Sequence, residues 1–126
     1  MEILTDINTE LKLRSHIIKG IIDVAELTLY LKQLYSKSAY NLELNVFWDL
    51  READFSSVSS EEVRSFMNYV SIKWGKSGKN KAALIVSQDL AFGMSRMYQM
   101  LMENSTPSQI AIFKDIDEAK KWIMKE

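Results

Sequence analysis

The carboxylates best placed for chemistry lie in Asn45 to Ser60, NVFWDLREADFSSVSS, where an apolar run ends in Asp49-Leu50 and crosses a polar loop. The pattern predicts a buried strand whose carboxyl end opens onto a loop, the place where open α/β sheets bind ligands. Asp49, Glu52 and Asp54 stand there, but a hydrolytic pair needs a defined separation across a cleft. Asp49 is better suited to bonding the loop backbone. His16 is the sole histidine, so a multi-histidine metal cluster is excluded. Its alternation with Lys12 and Arg14 predicts an exposed strand position and argues against a general base. These residues make no catalytic constellation and no metal site, and no cofactor is implied.

Four other groups invite a function. Gly75-Lys76-Ser77 has the ending of a phosphate loop, yet Val70 stands where the motif needs its first glycine, and the stretch follows a helix. It reads as a helix end and turn. Lys73, Lys76, Lys79 and Lys81 form a basic cluster, expected as a solvated loop. Ser56, Ser57, Ser59 and Ser60 include a candidate phosphoacceptor, because added negative charge at a helix start is favourable. Ser59 already has a structural reason in a capping box with Glu62. The last group is Asp89 to Tyr98, DLAFGMSRMY, where Gly93 interrupts a helix at a cost of about 1 kcal/mol against alanine. Such a glycine predicts close approach of a neighbour, by tight helix-sheet packing or by a ligand. Phe92, Arg96 and Gln99 lie beside a stripe of Leu90, Met94 and Met97, so an aromatic and a guanidinium are available to a carboxylate-bearing amphipath. Trp48, Phe55, Phe92 and Met97 are the candidate walls of such a pocket, and Arg51 or Arg96 would meet the polar end. Met94, Met97, Met100 and Met102 suit either an adaptable pocket or ordinary core.

These residues depend on elements that the sequence marks clearly. Asp23-Val-Ala-Glu26, Ser59-Ser-Glu-Glu62 and Asp115-Ile-Asp-Glu118 each place a capping side chain three residues before a glutamate, predicting three helix starts. Val24, Leu27, Leu31, Leu34 and Tyr35 follow the first at helical spacing, and Val63, Phe66, Met67, Val70 and Trp74 follow the second. A third helix is expected from about Ser87, with Leu90, Met94, Met97 and Leu101 inward, and a fourth with Ile116, Ala119 and Ile123. Leu42 to Asp49, Ala82 to Val86 and Gln109 to Phe113 read as strands, AALIV being apolar enough for a strand covered on both faces. Leu11, Leu13 and Ile17 alternate with Lys12, Arg14 and His16, predicting an earlier strand with one wetter face, which Ile3 to Thr5 can join. Pro107 belongs to the connector Asn104 to Ser108. The expected order is β-β-α-β-α-β-α-β-α, a single domain over residues 1 to 126 with a mixed, mainly parallel sheet and four helices.

Composition narrows the function classes. At 126 residues, with 47% hydrophobic and 26% charged residues, the chain suits one autonomously folding α/β domain. A formal charge of -1 gives no global field for nucleic acid or anionic membrane, so nucleic-acid binding is not expected. With no cysteine, the chain forms no disulfide or zinc-thiolate site, which suits a reducing compartment. No signal-like or membrane-spanning run stands in it, and a cytoplasmic location is expected. Homodimerisation is plausible for so small a domain.

Several of these segments together resemble the SpoIIAA-like proteins of the STAS superfamily. They are Trp48-Asp49-Leu50 ending a strand, Ala53-Asp54-Phe55 after it, Asp89 to Tyr98, and Phe113-Lys-Asp-Ile-Asp-Glu-Ala-Lys-Lys-Trp122-Ile123. The resemblance implies a STAS-type α/β fold across most of the chain beyond residue 20. In anti-sigma-factor antagonists of this group, an Asp-Ser-Ser-Gly motif at a helix start carries a phosphorylated serine. Here it falls on Ser57-Val58-Ser59-Ser60, so Ser59 matches the phosphoacceptor while the aspartate and glycine are replaced. The resemblance better supports the non-phosphorylated branch, which is similar to CRAL-TRIO lipid-carrier domains and implies binding of small apolar or amphipathic molecules without enzyme activity. The leading expectation is a non-enzymatic binding module for such a ligand. The alternative is a regulatory protein-interaction module with a phosphoserine switch at Ser59, and an enzyme is the weakest reading.

Overall fold

Apolar residues spaced by two and by three or four set the order of elements, and the capping residues fix where helices begin. A computed structural model of the chain describes residues 1–37, 44–74, 80–107 and 109–125, leaving aside the side chain of Trp74. It contains β1 (Glu2–Asn8), β2 (Leu13–Ile21), α1 (Val24–Tyr35), β3 (Asn45–Asp54), α2 (Ser60–Trp74), β4 (Lys81–Ile85), α3 (Asp89–Glu103), β5 (Gln109–Phe113) and α4 (Ile116–Met124). This is the expected order. Part of the expected strand at Leu42, the Gly75 to Ser77 turn, Lys76, Lys79 and Ser108 lie outside the described residues.

The strands form one five-stranded sheet in chain order, β1-β2-β3-β4-β5. β1 runs antiparallel to β2, and β2 to β5 are parallel neighbours. Each parallel step requires a crossover helix, and successive right-handed crossovers stepping one way put their helices on one face. The core follows from this. Ile18, Val46, Leu84 and Ile110 meet Leu27, Leu31, Val63, Met67, Val70, Ala91 and Met102 from α1, α2 and α3 in one cluster. On the opposite face Phe47, Ala83 and Ile85 meet Ala119 and Ile123 of α4. The alternation Ala82-Ala83-Leu84-Ile85 therefore serves two cores, which is why that strand is apolar throughout.

Capping is reciprocal at one of the three predicted boxes. Ser59 N–H donates to the Glu62 carboxylate at 3.0 Å and Glu62 N–H donates to Ser59 Oγ at 3.1 Å. Asp23 accepts from Glu26 N–H, and Asp115 accepts from Asp117 N–H. An aspartate cap repels a returning glutamate carboxylate, whereas a serine hydroxyl does not. α3 begins at Asp89, two residues later than expected, with Gln88 as a cap that makes no side-chain bond.

Two expectations for the strands are corrected. β3 continues through Asp54, so Arg51-Glu52-Ala53-Asp54 is strand and not loop. Between the pairs Ile17↔Asp49 and Lys19↔Glu52, β3 advances by one residue more than β2, and this bulge lets Leu50 and Ala53 both reach the helix-covered core. Past it, Gly20 takes a φ of 89°, a conformation that glycine adopts without a Cβ clash. The second correction concerns the wetter face of β2. Arg14 is 1% exposed and His16 is fully buried, both on the face under α1. The Arg14 guanidinium lies 5.7 Å from the centre of the Tyr35 ring, and His16 lies against Trp48, so aromatic surfaces accept the polar side of the strand.

Candidate functional site

The site is built where the carboxyl ends of β2 and β3 run under the first turns of the helices. Ile18 and Ile22 from β2 and its exit, Trp48 and Leu50 from β3, and Leu84 from β4 form its floor. Val24 and Leu27 of α1, Val63 and Phe66 of α2, and Met94, Ser95 and Tyr98 of α3 form the walls, with Phe55 and Val58 of the β3–α2 turn beside them. They enclose about 90 Å³. The turn is held by a Val58 N–H bond to the Phe55 carbonyl at 3.0 Å and a Ser56 N–H bond to the Asp54 carboxylate at 2.8 Å.

Among the described residues, no charged side chain lines this cavity. Ser95 is the one aliphatic hydroxyl in the lining among the described residues and is 4% exposed. The Tyr98 phenol is pushed up in pKa by burial and by the nearby Tyr35, with Arg14 opposing. Behind the Trp48 wall, His16 packs its ring 4.3 Å from the indole, centre to centre, and meets Tyr30 edge-on. His16 Nδ1 shares a hydrogen bond of 2.8 Å with the Thr5 hydroxyl, which is also bonded to the Tyr30 hydroxyl. The other ring nitrogen, Nε2, is buried and has no hydrogen-bond partner among the described residues. Burial first, then the Arg14 charge, lower the His16 pKa to about 3, so the ring is neutral at neutral pH.

The structure brings Trp48, Phe55 and Met94 together in the lining and leaves Arg51, Phe92, Arg96 and Met97 outside it. Arg51 grips Asp49, donating from Nε at 2.9 Å and Nη2 at 2.7 Å, and is not part of the lining. That pairing, chiefly the guanidinium bond, lowers the Asp49 pKa. Glu52 pairs with Lys19 at 3.7 Å and Asp54 caps its turn, so the three carboxylates of this stretch are taken up structurally. Phe92 is exposed beneath the Lys114 ammonium, 5.6 Å from the ring centre. Arg96 donates to the Gln99 side chain at 2.7 Å, and Gln99 in turn donates to the Ile110 carbonyl. Met97 packs against the core outside the cavity. Ser59 lies in a separate groove between α1 and α2, with Thr28, Lys32, Glu61 and Glu62. Lys81 is not part of an open basic cluster, because its ammonium bonds the Trp122 and Lys125 carbonyls and caps α4.

Ser95 escapes a reading of polarity alone, because a serine inside a helix looks like a surface residue. The spacing that finds it is Ala91, Ser95, Tyr98 and Met102. This line is the most buried stripe of α3, rotated from the expected one, whose Met94, Met97 and Leu101 still pack partly buried against the core while Leu90 is left 48% exposed. Gly93 is likewise on the outer side: beyond its own helix backbone and chain neighbours, no atom of the described residues comes within 4 Å of the position its Cβ would take.

No protein-family model matches the chain, and no curated protein matches it significantly. Among solved structures, it is similar to an uncharacterized protein from the DUF3478 family with a SpoIIAA-like fold, from Shewanella loihica PV-4. The match covers 97% of this chain and 92% of that one, with a TM-score of 0.61 and 19% sequence identity. The chain has a SpoIIAA-like fold. No helix among the described residues is long and apolar enough to cross a membrane.

Proposed function

We propose that this SpoIIAA-like domain is a non-enzymatic binding module that holds a small neutral apolar molecule, or the apolar part of an amphipath, between the sheet and α1 to α3. The observation that carries the reading is the uncharged, almost wholly apolar cavity of about 90 Å³ at the carboxyl ends of the strands. An apolar void of about 150 Å³ stays dry and binds benzene. The enclosed space here suits an occupant, or an inserted tail, of on the order of five heavy atoms. A carboxylate head has no cation in the lining and would stay in water at the mouth, where it keeps its hydration.

Amide NMR spectra titrated with xenon and with 1-butanol test this. Saturable shifts are expected at Ile18, Trp48, Val63 and Met94. Val58→Phe, which fills the space from the turn, should abolish them while the domain stays folded at a cost of about 1–3 kcal/mol. Wild-type spectra that neither probe moves would overturn the reading.

A further inference from the structure

We propose that Ser95 is the hydrogen-bonding anchor of the cavity and selects occupants carrying one neutral oxygen, such as an alcohol or ketone, over hydrocarbons. The inference rests on the binding reading above.

A hydroxyl in a helix ordinarily returns its proton to a carbonyl one turn back. Thr28 does so to Val24, Ser105 to Leu101 and Ser71 to Asn68. Ser95 makes no such bond among the described residues, although it is the most buried of these hydroxyls and stands midway along the inner stripe of α3. Its residue is 4% exposed, yet its Oγ is not among the sealed polar atoms that lack a partner, and it borders the cavity. Ser95 is thus a cavity-lining residue whose hydroxyl has no protein partner among the described residues. An apolar occupant that displaces water from this hydroxyl leaves it without a partner at a cost in free energy, whereas an occupant that bonds it does not. With no charged group alongside, the matching atom is an uncharged oxygen, and the hydroxyl can donate to a ketone or exchange bonds with an alcohol.

Ser95→Ala separates the anchor from the cavity, because alanine keeps helix propensity and nearly the same volume. The same NMR titration would use 1-butanol, butanone and xenon on both proteins. The variant is expected to bind 1-butanol and butanone about five-fold more weakly, the size of one net hydrogen bond, and to bind xenon as well as or better than the parent. Equal affinities for the oxygenated probes in both proteins, or equal losses for all three probes, would overturn the anchor and leave the binding module standing. Failure of the parent to bind any of them would overturn both.

Discussion

His16 titrates near 6.5 in an unfolded chain but only near 3 in the folded protein, because burial and the Arg14 charge both oppose its protonation. Between those values the unfolded state takes up a proton that the native state refuses, so stability falls as pH drops through that window and is unaffected above it. One such group gives a slope of about 1.4 kcal/mol per pH unit. Asp49 acts lower: its folded pKa is depressed, so its contribution is present above the ordinary carboxylate range and is lost as pH falls through the folded value. Urea midpoints measured at pH 7, 5.5 and 4.5 should fall steadily, and His16→Phe should flatten this fall whatever it does to stability at pH 7. A parent midpoint that does not change, or an equal slope in the variant, would contradict the assignment. The burial of His16 was hard to read because polarity alone placed Arg14 and His16 outward. The residues that accept them, Tyr30, Tyr35 and Trp48, come from other elements. The available clue was Ile18, which continues the same two-residue period into the core.

At the scale of elements, the Ser59–Glu62 box was legible because both halves of a cap lie within four residues. The end of β3 was not, because its polar residues pair with β2 only past a bulge in β3 that no local pattern marks. α3 shows the same division. Its existence followed from periodicity, but its rotation is set by small Ala91 and Ser95 packing inward. That rotation turns Gly93 to an open surface, where its only effect is to loosen the helix. Gly93→Ala should therefore raise stability by about 0.5–1 kcal/mol in chemical denaturation. A loss would mean that something covers this face.

For the whole molecule, the order of elements and the sheet class were legible, since each depends on local patterns strung along the chain. The cavity was not, because its lining is drawn from three strands, three helices and a turn, and no one segment carries its signature. Trp48 and Phe55 were found as aromatics near a strand end, while Leu84 and Ser95 became visible only once the layers closed. The sheet itself has a consequence of another kind. Strand order follows chain order, so each strand pairs only with its neighbours in sequence, and no long-range pairing ties the two edges together. Opening can thus begin at an edge and stop before the middle. Backbone amides of Val46 to Asp49 and of Ala82 to Ile85, flanked by strands on both sides, should be the last to exchange with deuterium, whereas those of β1 should exchange by fraying of one hairpin. Native-state exchange resolved by residue would reveal this gradient, and equal protection across β1 and β4 would mean that the sheet opens only as a unit.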